Sequence, residues 1–144
     1  MLTSLVTAEP EHSLEQLPGR PWAVRRASGP GGRPALEIYA AGVMVDVLVL
    51  PRDWPRAPRI VRGAYSATWA GQPQVAAWGV LPAAGRTLLV RFRRGRLRAQ
   101  ACPADPVAVG GVFWFAEAPG RFGHVLVTHG GGQERHGVRP ARPC

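Results

Sequence analysis

The sequence has no lysine and no asparagine, two cysteines, and 9 acidic residues against 18 basic ones. Because lysine is missing, all of the positive charge is arginine, and Gly130-Gly131-Gly132 lacks the Gly-Lys-Ser/Thr of a phosphate loop; it reads as a β-turn. Cys102 and Cys144 make no disulfide framework, which favours free thiols in a reducing cytoplasm. No window approaches 18 consecutive apolar residues, so no transmembrane helix is expected. The longest apolar run, Ala40 to Leu50, is broken by Asp46 and suits a strand. Met1 to Ala8 has no basic n-region and is interrupted by Thr3, Ser4 and Thr7, unlike a signal peptide. The expectation is a cytoplasmic protein that does not insert into a membrane.

The usual catalytic constellations are also missing. Beyond the N-terminal segment the carboxylates are Glu37, Asp46, Asp53, Asp105, Glu117 and Glu134, and no two make a recognisable acid–base pair. Cys102 lies near Asp105, but no Gly-x-Ser-x-Gly elbow surrounds a nucleophile. His124 and His129 are five apart, on opposite faces of a continuous strand, and no Cys-x-x-Cys or His-Glu-x-x-His occurs. These shortages predict a protein that is not an enzyme, with no metal and no cofactor.

What is present is turn-forming residue and short apolar runs. The chain has 144 residues, a one-domain length, with 18 Gly and 15 Pro, so long helices have little room. Ser13 to Leu17 fits one helical turn, Trp22 to Arg26 a short strand, and Ser28 to Pro34 a loop or linker. Residues 1–34 therefore read as an irregular N-terminal segment, 35–139 as a single domain, and 140–144 as a mobile tail. Strands are predicted at Leu36–Ala40 and Val43–Leu50 around Ala41-Gly42, and at Ile60–Trp69 and Gln74–Leu81. Further pairs are Thr87–Phe92 with Arg96–Ala101, and Val112–Ala116 with Phe122–Thr128, followed by a weak strand at Arg135–Val138. Seven to nine short strands at this spacing predict an all-β fold, an antiparallel Ig-like β-sandwich.

The sharpest local feature is Thr87 to Ala101. A two-residue turn at Arg94-Gly95 pairs Arg93 with Arg96, Phe92 with Leu97 and Arg91 with Arg98. Four arginines, Arg91, Arg93, Arg96 and Arg98, then share one face beside Arg94, with no acid between Arg86 and Gln100. Opposed like charges cost roughly 0.2–1 kcal/mol per pair. Two readings fit: an anion site of planar guanidinium forks, or a solvated hairpin in a chain whose Arg, Ala, Gly and Pro follow a GC-rich coding sequence. In Val112-Phe113-Trp114-Phe115, Trp114 faces away from Phe113 and Phe115, as a core residue or as an exposed ring that stacks a base.

The order Trp78-Gly79-Val80-Leu81-Pro82, strand, Arg-Gly turn, Gly111-Val112-Phe113-Trp114-Phe115, and Val125 to Glu134 is similar to small β-sandwich domains of GC-rich Gram-positive bacteria. Those run Gly-Val-Val-Pro, a strand, Asp-Gly-Arg, a strand, a short aromatic strand, and a strand ending in a small-residue turn. The likeness covers about residues 78–138 and departs at Arg94-Gly95-Arg96, which stands where those domains have Asp-Gly-Arg. It implies a sandwich fold and no activity. The expected function is a binding module whose anion- or partner-binding residues are Arg91, Arg93, Arg94, Arg96, Arg98 and Trp114. Its expected partner is an acidic protein surface, with nucleic-acid backbone as the alternative.

Overall fold

Short apolar runs ended by glycine become strands, and thirteen of them form among the residues described in the computed structural model: 7–8, 21–54, 56, 59–82, 87–95, 100–130 and 132–140. In chain order they begin with β1 (Thr7–Ala8), β2 (Trp22–Ser28), β3 (Pro34–Ala40), β4 (Val43–Val49), β5 (Val61–Trp69) and β6 (Gln72–Val80). Then come β7 (Leu89–Arg93), β8 (Ala101–Ala104), β9 (Val107–Val109) and β10 (Phe113–Pro119). The last are β11 (His124–His129), β12 (Gly132–Gly137) and β13 (Arg139–Pro140). The fold is all-β. A 3-10 turn lies at Pro30–Gly32, and among the described residues no helix is long and apolar enough to cross a membrane.

The strands form three sheets: a six-stranded one ordered β1-β9-β10-β6-β5-β13, a four-stranded one ordered β12-β11-β7-β8, and the meander β2-β3-β4. Pairing is antiparallel except for the short contacts of β1 with β9 and β13 with β5. The six-stranded sheet lies in the middle because β6 and β10 are apolar on both faces. Side chains alternate along a strand. Val75 and Ala77 of β6, with Trp114, Ala116 and Ala118 of β10, pack against Val90, Phe92, Val125 and Val127 of the four-stranded sheet. Ala76, Trp78 and Val80, with Phe113 and Phe115, pack against Trp22, Val24, Leu36, Ile38 and Leu48 of the meander. The expected stacked sheets are there, with a third layer added and more strands than the seven to nine expected.

Two glycines permit this stacking. A Cβ at Gly63 would fall 2.6 Å from the Trp78 indole, which lies across that strand. A Cβ at Gly79 would stand 1.7 Å from the carbonyl oxygen of Ile60. That oxygen accepts from Val80 N–H at 3.0 Å and from Trp114 Nε1 at 3.2 Å, so only a residue without a side chain fits beside it.

Several expectations change. Trp22–Ser28 pairs with Pro34–Ala40 along its whole length, and Trp22 and Val24 enter the core, so the fold includes β2 and does not begin at Ala35. In β4 the side-chain alternation of a regular strand is broken by a register shift opposite Ile38 and Tyr39. Val45 is thereby buried while Val43 and Val47 stay exposed. Asp46 faces inward, where its Oδ2 accepts from Trp78 Nε1 at 2.9 Å. β10 and β11 do not form the expected hairpin: β10 pairs with β6 and β9, and β11 with β7 and β12. The reason is polarity, since β11 carries His124 and Thr128 on one face and cannot occupy a layer covered on both sides. The helical turn at Ser13–Leu17, Arg96, Arg98, Cys144 and most of the expected tail lie outside the described residues.

Candidate anion-binding interface

β7 was expected to return directly into Arg96–Ala101, and this register is corrected. Arg94 N–H donates to Gln100 O at 3.0 Å, and the partner strand is β8, with Val90 opposite Ala104, Arg91 opposite Pro103, Phe92 opposite Cys102 and Arg93 opposite Ala101. Cys102 and Ala104 accompany Phe92 into the core. Arginine therefore faces proline and alanine across this pair: Arg91 is opposite Pro103 and Arg93 opposite Ala101, the places expected for Arg98 and Arg96.

The basic face is instead completed from the other side of β7. The pairings of β11 with β7 and β12 set Arg91, Leu126 and Arg135 in one cross-strand row. The next row holds Arg93, His124 and Gly137. Adjacent strands lie about 4.8 Å apart, so Arg91 and Arg135 stand roughly 10 Å apart across Leu126. The outward positions of these four strands are Leu89, Arg91, Arg93, Ala101, Pro103, His124, Leu126, Thr128, Gln133, Arg135 and Gly137, and none is a carboxylate. Arg91 and Arg135 are exposed, Leu126 is half-buried between them, and Leu89 is half-buried in the neighbouring row.

One end of the face is fixed by Phe122. The Arg94 guanidinium carbon lies 5.5 Å from that ring centroid, and Arg94 Nε donates to Arg121 O at 2.9 Å. This stacking holds Arg94 beside Arg93 in a defined orientation. Cation–π contact with a half-buried ring lets a long side chain stay ordered before any partner arrives.

His124 is held below its ordinary protonation range in this face, mainly by burial. Its pKa is lowered from the ordinary 6.5, first by burial and then by the charges of Arg135 and Arg93. A histidine that is harder to protonate in the fold than in the unfolded chain makes the unfolded state bind the proton first as pH falls. Stability contributed this way is full above the unfolded value and is lost as pH drops below about 6.5 toward the folded value. Thermal unfolding at pH 7 and pH 5 should show a lower midpoint at pH 5, and His124→Gln should remove part of that difference. Equal differences for the two proteins would mean that the fold does not hold His124 below its ordinary value.

Trp114 does not belong to the interface. It is fully buried between the central and four-stranded sheets, with its N–H satisfied by Ile60 O, so it cannot stack a base. Sequence reasoning missed Arg135 and His124 as members of the face. The alternation in His124-Val125-Leu126-Val127-Thr128 marks His124 as outward, but nothing local says that β11 pairs with β7. It also missed Glu134, whose carboxylate accepts from Ile60 N–H at 2.9 Å and Val61 N–H at 3.2 Å, and lies 2.9 Å from His129 Nε2. Among the described residues no group of three or more His, Cys, Asp or Glu could hold a metal ion. No protein-family model, curated protein or solved structure matches this chain.

Proposed function

We propose that this protein is a non-enzymatic interaction module that binds an acidic protein surface through the outer face of its four-stranded sheet. The observation that carries the reading is the pair of cross-strand rows joining Arg91, Arg93, His124 and Arg135 on a face with no carboxylate. Guanidinium forks grip carboxylates with two parallel hydrogen bonds. The half-buried Leu126 between Arg91 and Arg135, with Leu89 in the next row, gives the mixed apolar and arginine character of protein interfaces. A cytoplasmic setting accords with a chain that carries only two cysteines.

Net charge +9 favours the second reading, binding to nucleic-acid backbone. Against it stands the loss of the stacking residue, because Trp114 is buried. The two are separated with a labelled deca-glutamate peptide and a DNA duplex, each titrated at two salt concentrations. The acidic-protein reading expects saturable peptide binding, weakened about tenfold or more in an Arg91→Ser/Arg135→Ser variant, since charge-assisted hydrogen bonds contribute roughly 1.5–3 kcal/mol each. Both side chains are exposed, so the variant should keep the wild-type circular dichroism spectrum. Undiminished peptide binding by the variant overturns the assignment of the face. Tighter duplex binding that falls steeply with log salt supports the nucleic-acid reading instead.

A further inference from the structure

Short, charged or proline-bearing edge strands resist further pairing, and the outer strands of the three sheets differ in this respect. β8 carries Pro103, β13 is Arg139-Pro140, and β1 spans only Thr7–Ala8. β12 is charged at Glu134 and Arg135, and β2 at Arg25 and Arg26. β4, the outer strand of the meander, has none of these features. It reads Val-Met-Val-Asp-Val-Leu-Val, without proline or arginine, and its Asp46 is turned inward to Trp78. Val43 and Val47 on this strand are exposed large hydrophobic residues. The bulge at Val45 interrupts its first half, but Asp46 to Val49 stays in regular register with Ile38 to Ala35.

The direction of its backbone groups is fixed by the ladder. Leu50 N–H donates to Pro34 O at 2.8 Å, toward β3. Along an antiparallel strand the N–H and C=O of one residue point to the same side, and those of the next to the other. Leu48 therefore also bonds toward β3, while the N–H and C=O of Val47 and Val49 face the free edge. Among the described residues no strand lies there to receive them. We propose that a second copy of this chain does, its β4 pairing antiparallel with the first about a two-fold axis at Leu48. Val47 then lies opposite Val49 of the second copy, each N–H donating to the other's C=O, and the axis repeats the pair. Asp46 and Leu48 point inward, so the same valines also meet side by side on the outer face.

Self-complementarity and charge favour a second copy over a foreign strand. A two-fold axis lets one patch serve as both halves of an interface. At net charge +9, two copies repel wherever their arginines face each other. On the outer face of the meander the charged residues are Arg25 and Glu37, which pair at 2.7 Å. The next charges along the chain from β4, Arg52 and Asp53, are of opposite sign. The basic face lies on the four-stranded sheet, across the central sheet from the meander, and stays open in such a dimer. One strand edge is a small contact, so the dimer is a dissociable one.

The test is sedimentation velocity of the full chain from micromolar to near-millimolar concentration, with amide hydrogen exchange measured at both ends of that range. A reductant keeps Cys102 and Cys144 from linking copies. The expected result is a reversible monomer–dimer equilibrium in which the Val47 and Val49 amides exchange more slowly as dimer forms. Val47→Pro removes a donor that β3 does not use, so it should fold and weaken dimerisation about tenfold or more. Val47→Lys, at an exposed position, should weaken it as well, and Val47→Thr should leave it unchanged. Circular dichroism checks that each variant folds. A monomer at every concentration overturns the proposal, and protected Val47 and Val49 amides in that monomer would mean that the same chain covers its own edge. A dimer of wild-type strength in both Val47→Pro and Val47→Lys, or one whose Val47 and Val49 amides exchange freely, overturns it equally.

Discussion

Replacing Trp78 with alanine is expected to lower unfolding stability by about 4 kcal/mol, within the roughly 3–5 kcal/mol range for truncating a buried aromatic. Trp78 is fully buried and is the centre of the packing between the meander and the central sheet. Its ring stacks on Tyr65 at 5.2 Å and 10° and on Phe115 at 6.4 Å and 10°, and it meets Trp22 at 6.5 Å and 56°. Truncation would leave a cavity that the sheets on either side cannot close, because their backbones are held in register by hydrogen bonds. It would also strip Asp46 of the N–H that its carboxylate accepts. Trp78→Phe keeps most of the stacking and loses only volume and that donor, so a smaller loss of about 2 kcal/mol is expected. Urea unfolding with tryptophan-independent detection checks both. A Trp78→Ala loss below about 1 kcal/mol would mean that the third layer is not organised on this side chain.

The second large effect is expected at Glu134. Its carboxylate closes a gap that backbone pairing leaves open, since the N–H groups of Ile60 and Val61 at the head of β5 donate to it across the layers. The same Ile60 peptide offers its carbonyl to β6 and to Trp114, so one residue ties three strands and a side chain together. Hydrogen bonds to a charged acceptor contribute roughly 1.5–3 kcal/mol, and a buried N–H left unmatched costs about 1–3 kcal/mol more. Glu134→Ala is therefore expected to destabilise by about 3 kcal/mol. Glu134→Gln retains one accepting oxygen but turns donor against donor, and about half that loss is expected. His129→Ala, which removes one neighbour of the carboxylate and leaves both backbone contacts, should cost least. The order is the test: a Glu134→Ala variant no less stable than His129→Ala would remove Glu134 as the link between the sheets.

Glu134 bears on the proposed interface indirectly. Glu134 is the inward neighbour of Arg135 on β12, and its grip on β5 fixes the strand that presents Arg135 beside Leu126 and Arg91. A loosened β12 would splay the two arginine rows. The basic face thus depends on a carboxylate that points the opposite way, which follows from the period of two along a strand.

Much of the local structure was legible in the residues themselves. Ala41-Gly42 turns β3 into β4 with φ of 50° and 81° at those two positions, as the apolar runs on either side predict. Trp114 faces away from Phe113 and Phe115, as alternation requires, and Asp46 sits among apolar neighbours. Alternation, however, says only that a strand has two faces; it does not say what covers each. Tertiary structure decided that both faces of β6 and β10 are core, which buried Trp114 and created a third layer. Pairing was likewise a long-range choice. β7 meets β11 and a delayed β8, rather than the nearest downstream run, because Cys102, Ala104, Val125 and Val127 fill the space beside Phe92. The arginines of β7 were visible in the sequence as one face; that Arg135 and His124 complete it depended on contacts more than thirty residues away, where burial of the inner face fixes which outer residues become neighbours.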